Sequence, residues 1–180
     1  MRWECKTTLS ALTNDRAKQP DGEPFSASAV CADGGGTIAA VTCAEPFRLG
    51  LVNCTIADNP NGGVLWGSTA TEGMPPVVYN SIVWGNGPYE ISPDCDDGAF
   101  VYYSDVMGGA GCEGFAGNIT SNPLFNEYWD PVYGLQGGSD CIDAANPAAA
   151  PLTDIDGAYR DSAPDMGAYE YFPDEPDGGE

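Results

Sequence analysis

The chain has 180 residues, with 6 basic side chains against 27 acidic ones and no histidine, and its formal net charge at pH 7 is −21. A protein this negative repels nucleic acids and anionic membrane surfaces, because phosphate groups are bound through lysine and arginine. The lack of histidine excludes the commonest general base, the commonest zinc ligand, and any Ser-His or Cys-His nucleophile pair within the chain.

Residues 1–24 are polar and end in the turn-rich sequence QPDGEP. They contain no apolar stretch long enough for a signal-peptide core, and no run of the chain reaches the length of a membrane span. We expect an irregular segment here, either the remnant of a missing coil or a short helix.

Residues 25–115 consist of short β-prone pieces separated by Gly, Asn, Asp and Pro. Residues 53–59 read NCTIADN, residues 80–86 read NSIVWGN 27 positions later, and a looser copy, YSDVMGG, occupies residues 103–109. A strand-length unit repeated with a period in the twenties predicts a solenoid, in which each coil buries its apolar face against its neighbours. The runs FRLGLVNCTIADN and PVVYNSIVWGN are predicted to be strands.

Asn53 and Asn80 occupy equivalent positions in the two clearest repeats. Asparagine tolerates left-handed backbone angles, and stacked asparagines can hydrogen-bond to one another along a solenoid. We therefore predict that both residues form structural corners, and a contact with a ligand is the alternative.

The seven cysteines include no C-x-x-C pair, so a zinc ribbon or a thioredoxin-type site is not expected. The pairs Cys31/Cys43 and Cys95/Cys112 are spaced for disulfides that close loops, which would suit a secreted protein. Cys54 lies within an apolar run and is predicted to be a small buried hydrophobic residue.

Residues 116–172 do not repeat, and we expect them to form a C-terminal cap on the last coil, followed by an acidic tail over residues 173–180. Two sets of side chains in the cap are candidate sites. Tyr128 and Trp129 could form an exposed glycan-contacting patch. Four aspartates are candidate ligands for a structural calcium ion, and they are Asp154, Asp156, Asp161 and Asp165.

The four aspartates do not follow an EF-hand pattern, because the position that requires glycine holds Tyr159 and the usual glutamate is missing. The alternative to calcium is that these aspartates form Asx turns and pair with Arg160. No other cofactor is predicted.

Six ordered blocks, NSIVWGN, YSDVMGG, GNITSNPLF, YGLQGGSDCIDAANP, TDIDGAYR and PDMGAYEY, give the chain a family resemblance over residues 50–172. It resembles the C-terminal region of bacterial right-handed parallel β-helix proteins called choice-of-anchor Q domain proteins. The resemblance implies a pectate-lyase-like fold in an exported protein that is tethered by an anchor segment beyond the cap. This chain shows neither an export signal nor such an anchor, so we expect a C-terminal piece of a larger surface protein, or a truncated gene.

We therefore predict an all-β, right-handed parallel β-helix of about three to four coils with an irregular C-terminal cap. The expected role is structural or glycan-contacting at the bacterial cell surface, without catalysis by this chain. The expected partners are a polysaccharide or the cell envelope, and self-association through the open N-terminal coil. The alternative is a fragment of a calcium-dependent polysaccharide lyase, with Asp94, Asp96 and Asp97 as metal ligands and Arg48 as the base.

Overall fold

A computed structural model describes residues 30–31, 41–44, 50–67, 77–92, 100–109, 116–126 and 133–173. Within these ranges the chain is all-β, which confirms the predicted class, and no helix there is long and apolar enough to cross a membrane. The ten strands are β1 (Val30–Cys31), β2 (Val41–Ala44), β3 (Gly50–Val52), β4 (Thr55–Ala57), β5 (Val64–Gly67), β6 (Val77–Tyr79), β7 (Ile82–Trp84), β8 (Ile91–Ser92), β9 (Phe100–Tyr102) and β10 (Asp105–Val106).

The strands form three sheets, in each of which the neighbours are every third strand of the chain. Sheet A has the order β1-β4-β7-β10, sheet B the order β2-β5-β8, and sheet C the order β3-β6-β9. All of these pairs are parallel. In sheet A, Thr55 lies opposite Ile82 and Ile82 opposite Asp105, so the register reproduces the spacing of the sequence repeats.

Each long strand predicted from the sequence is in fact two strands that belong to different sheets. Asn53 separates β3 from β4 with φ 49°, and Asn80 separates β6 from β7 with φ 52°. The equivalent residues Tyr103 and Gly117 also have positive φ, at 49° and 76°. The prediction of continuous strands was wrong at these corners because a left-handed residue turns the chain from sheet C into sheet A.

The buried core takes alternate residues from the strands of the three sheets. In sheet A the inward row is Ile56, Val83 and Val106, whose side chains are at most 1% exposed. Sheet C contributes Leu51, Val78 and Val101, and sheet B contributes Val64 and Ile91. Since successive strand residues point to opposite faces, the other row of sheet A, formed by Thr55, Ile82 and Asp105, points outward.

Parallel pairing in sheet A continues beyond β10 as an isolated bridge. Ile119 forms a parallel bridge with Asp105, and its amide donates to the carbonyl of Ser104 at 3.0 Å. Residues 133–173, hereafter the C-terminal segment, contain no strand longer than an isolated bridge. The described contacts of this segment reach side chains of three successive repeats, as the next section shows. The cap predicted over residues 116–172 stays a prediction.

Candidate functional site

A ladder of small polar side chains runs along the stack at the residue after each left-handed corner. The amide of Cys54 donates to Ser81 Oγ at 3.1 Å, and the amide of Ser81 donates to Ser104 Oγ at 3.0 Å. The amide of Ser104 in turn donates to Asn118 Oδ1 at 3.1 Å. The side chains of Cys54, Ser81 and Ser104 each donate to a carbonyl two residues earlier in their own repeat. Asn118 Nδ2 donates instead to the carbonyl of Val101 in the preceding repeat, so every rung joins two neighbouring repeats.

The corner asparagines form a second contact between coils. Asn80 Nδ2 donates to Asn53 Oδ1 at 3.2 Å, and both side chains are fully buried. The structure thus shows the two features expected of these residues, a left-handed backbone and a mutual hydrogen bond. Neither side chain is available to a ligand at the surface.

Another buried pair, at the far end of the repeats, is formed by Asn59 and Asn86. Asn59 Nδ2 donates to Asn86 Oδ1 at 2.7 Å, and Asn86 Nδ2 donates to the carbonyl of Ile56 at 2.9 Å. Asn86 also binds both carboxylate oxygens of Glu90. Burial is the main cause that raises the pKa of Glu90 above its usual value, and the nearby Asp58 adds to it.

The outward row of sheet A is covered by the C-terminal segment. The amide of Ala168 donates to Thr55 Oγ1 at 3.0 Å, and the amide of Gly167 donates to the carbonyl of Asn80 at 2.8 Å. Ile82 packs in the centre of this interface. The buried residues around it are Leu135, Cys141, Ala145 and Met166. Trp84 is partly buried and packs against this cluster.

Hydrogen bonds from the corner asparagines fix the same interface. Asn53 Nδ2 donates to the carbonyl of Asp165 at 2.9 Å, and Asn80 Nδ2 donates to the carbonyl of Asn146 at 3.0 Å. The amide of Asn146 returns a bond to Asn80 Oδ1 at 2.8 Å. The asparagines therefore serve both as rungs of the stack and as anchors for the C-terminal segment.

Asp105 and Cys141 form a buried pair across this interface. Both residues are 0% exposed, and Cys141 Sγ donates to Asp105 Oδ2 at 3.2 Å. Asp105 Oδ1 has no hydrogen-bond partner among the described residues. Burial raises the pKa of Asp105 to about 7, with a smaller contribution from the charge of Asp140. Burial and then the Asp105 carboxyl raise the pKa of Cys141, so its sulfur is a thiol at neutral pH.

An ion pair inside the C-terminal segment orders its last turn. Arg160 Nη1 lies 2.7 Å from Glu170 Oε2, and each side chain is only 2% exposed. Arg160 Nη2 also donates to the carbonyls of Gly167 and Ala168, at 2.8 and 3.0 Å. This geometry fixes the stretch that lies against Thr55 and Ile82. The predicted pairing of Arg160 with the aspartates was wrong, because its carboxylate partner is Glu170.

The candidate calcium ligands bind backbone amides. Asp154 Oδ1 accepts hydrogen bonds from the amides of residues 156 and 158, and its Oδ2 accepts one from residue 170. Asp165 accepts from the amides of residues 143 and 171, and Asp161 Oδ1 from residue 163. Asp156 is exposed. Within the described ranges, no three Asp, Glu, Cys or His side chains come together in a group that could hold a metal. This arrangement fits the Asx-turn interpretation better than a calcium site.

The remaining candidates cannot be placed in the same way. Tyr128, Trp129, Cys95 and Cys112 lie outside the described residues, as do the lyase candidates Arg48, Asp94, Asp96 and Asp97. Cys31 and Cys43 belong to β1 and β2, and only their backbone positions are described. Cys54 is buried as predicted, but its thiol hydrogen-bonds within the ladder, so it is more than a hydrophobic residue.

Among the described residues, the thiol and phenol groups with shifted pKa values are not activated for reaction. A catalytic thiol or phenol needs a lowered pKa or an adjacent base. Here burial, followed by the charge of Asp58, raises the pKa of Tyr133 to about 12, and the pKa of Cys141 is raised as well. Of the interface acids with raised pKa, Asp105 is buried under the C-terminal segment and Asp165 is buried within it. Their surroundings suit packing rather than contact with a substrate.

Sequence reasoning missed Asp105 and Cys141, although one signal was readable. When YSDVMGG is aligned with NSIVWGN, Asp105 falls at the position of Ile82, where a repeat would be expected to keep an apolar residue. A carboxylate in an apolar row indicates a special partner or a protonated acid. Nothing in the sequence identifies Cys141 as that partner.

Fold and site together define an all-β protein of parallel sheets whose buried polar side chains tie successive strands to one another and to the C-terminal segment. No family model matches this chain, and no curated protein or solved structure is significantly similar to it.

Proposed function

We propose that this chain is a right-handed parallel β-helix domain of an exported bacterial cell-surface protein, with a structural or glycan-contacting role and no catalysis of its own. The observation that carries the proposal is the order of the sheets, each of which takes every third strand in parallel. Repeated visits to three sheets are the expected consequence of coiling, and a stack of coils makes a stiff, extended body suited to a stalk.

The polar ladder supports a structural role. Its rungs are 0–2% exposed at Cys54, Ser81 and Ser104, and each joins neighbouring coils through backbone amides. Buried polar groups that are fully hydrogen-bonded specify one register of packing. These residues therefore serve cohesion along the stack and are not available to a substrate.

The proposed location and glycan contact rest on the resemblance to exported bacterial β-helix proteins. The net charge of −21 agrees with a soluble surface and disfavours anionic glycans as ligands, because like charges repel. Neutral polysaccharides are therefore the glycans to test first. Self-association through the N-terminal coil remains a further prediction from the sequence.

Assays for binding and for cleavage test the proposal together. The purified chain is mixed with neutral and acidic polysaccharides, with and without calcium. Binding is followed by retardation in polysaccharide-containing native gels, and lyase products by the ultraviolet absorbance of unsaturated sugars. We expect no product with any polymer. Calcium-dependent release of unsaturated sugars would contradict the proposal and favour the lyase alternative.

A further inference from the structure

The interface between sheet A and the C-terminal segment contains one acid whose ionisation nothing nearby would compensate. Asp105 is 0% exposed and receives one weak donor, the thiol of Cys141 at 3.2 Å. Its second oxygen has no partner among the described residues. Burying a carboxylate without a cation or several donors is costly, whereas a protonated acid is tolerated there.

Among the described residues, no positively charged group affects the pKa of Asp105. Its two register neighbours in the stack are Ile82 and Ile119. The titratable groups that face it from the C-terminal segment are Cys141 and Asp140. The cysteine is a thiol at neutral pH, and Asp140 is a like charge that opposes ionisation. Every element packed against Asp105 therefore favours its neutral form.

Asp165, the other buried acid of the segment, has a different environment. Its carboxylate oxygens accept hydrogen bonds from the amides of Asp143 and Tyr171. These donors belong to the C-terminal segment itself and would move with it. Asp105, in contrast, lies on sheet A and is covered by the segment, so its environment changes directly when the two separate.

We propose that the C-terminal segment is a proton-controlled latch, which is docked on sheet A while Asp105 holds a proton and is loosened when Asp105 ionises. The ionised carboxylate of Asp105 is stable when water solvates it, and water reaches it when the segment opens. Ionisation therefore favours the open state. Raising the pH therefore favours the open state locally, and the three-sheet stack stays folded.

The linkage gives the direction and size of the effect. Burial raises the pKa of Asp105 to about 7 when it is covered, against an ordinary value of 3.8 for an exposed aspartate. The open state therefore releases a proton between these values, and the opening constant rises roughly tenfold per pH unit from pH 5 to pH 7. Above about pH 8 both states are ionised, and the opening constant levels off.

Hydrogen exchange measured by mass spectrometry on the full chain tests the latch. Protection factors, corrected for the intrinsic pH dependence of exchange, are measured from pH 5 to pH 9 for peptides covering residues 139–146 and 164–171. Peptides covering β6, β7 and β10 report on the stack in the same sample. The Asp105→Asn variant keeps the size of the side chain but cannot ionise. Asp156→Asn is the matched control, because Asp156 is an exposed acid of the same segment.

We expect protection of the segment to fall about a hundredfold between pH 5 and pH 8 in the wild type and in Asp156→Asn, while the strands stay protected. In Asp105→Asn this fall should disappear. Three results would overturn the latch: a wild-type segment whose protection does not change with pH, an Asp105→Asn variant that keeps the wild-type pH dependence, or strands that lose protection together with the segment. The wild-type pH series decides the question even if Asp105→Asn fails to fold.

Discussion

Replacing Asn80 tests whether the corner asparagines hold both the stack and the C-terminal segment. The Asn80 side chain is fully buried and makes three hydrogen bonds, one to Asn53 and two to Asn146, at 3.2, 3.0 and 2.8 Å. Its φ of 52° is accessible to glycine and asparagine but strained for alanine. The variants Asn80→Gly and Asn80→Ala therefore separate the hydrogen bonds from the backbone.

The expected magnitudes follow from these contacts. Each buried polar group left without a partner costs about 1 to 3 kcal/mol. Because Asn146 is only partly buried, its unpaired groups should cost less than that of Asn53. We therefore expect Asn80→Gly to lower the free energy of unfolding by about 3 kcal/mol. Asn80→Ala should cost about 1 kcal/mol more because of its left-handed backbone. Such losses are a large part of the stability of a typical domain.

Equilibrium unfolding in urea, followed by circular dichroism at fixed pH, measures these differences. Asn122→Ala is the control, since Asn122 is exposed and its side chain bonds only the amide of Leu124 two residues away in the described structure. We expect the control to lose less than about 1 kcal/mol. An Asn80→Gly variant as stable as the control would refute the reasoning, and equal losses for glycine and alanine would refute the backbone argument.

Three further predictions concern the C-terminal segment. Folding raises the pKa of both Asp105 and Asp165 to about 7, so their contribution to stability falls as pH rises from about 4 to about 7 and is constant above that. Urea titrations should therefore show a higher free energy of unfolding at pH 5 than at pH 8. The reverse order would contradict the assigned protonation. Gly167→Ala should lower the free energy of unfolding by about 2 kcal/mol more than Gly157→Ala in thermal or urea melts. Both glycines have φ near +90°, but only the Cβ added at position 167 would lie 2.8 Å from side-chain atoms of Ile82 and Thr55. Equal losses would exclude the steric effect. Glu170→Gln should lower the free energy of unfolding by about 3 to 5 kcal/mol in the same assay, because it leaves the charge of Arg160 buried without its partner. An unchanged free energy would mean that this ion pair does not stabilise the segment.

The stacked part of the fold was readable because it repeats. Asn53 and Asn80 recur with the same spacing that appears in the register of sheet A, so position in the repeat predicts position in the stack. The two-strand division at each asparagine was missed, because an apolar run gives no sign of which sheet each half joins. The ladder of Cys54, Ser81 and Ser104 was missed as well, because cysteine and serine fit many environments.

The contacts between the sheets and the C-terminal segment could not be predicted from the sequence, because the partners lie far apart in the chain and those in the segment are not repeated. Asn80 bonds Asn146 across 66 positions, and Thr55 bonds Ala168 across 113. Sequence patterns reveal local order and periodicity, whereas these contacts depend on how the C-terminal segment packs against the outward row of sheet A. The aspartates near the C-terminus suited either a metal site or Asx turns in the sequence. The bonds of Asp154 and Asp161 to amides two to four residues ahead are local, whereas those joining Asp165 to residue 143 and Asp154 to residue 170 depend on the folded segment.

The unequal lengths of the repeats show where this architecture tolerates change. The register gives one spacing of 27 residues, from Val64 to Ile91, and one of 23, from Val77 to Phe100. The four-residue difference lies wholly in the connection from sheet B to sheet C, since Val77 follows Val64 by 13 positions and Phe100 follows Ile91 by 9. The ladder runs at the connection from sheet C to sheet A, where the number of residues between the two strands is the same in every repeat. The length of a repeat can therefore differ in the connection from sheet B to sheet C, while the constant connection from sheet C to sheet A keeps the ladder residues of successive repeats in register.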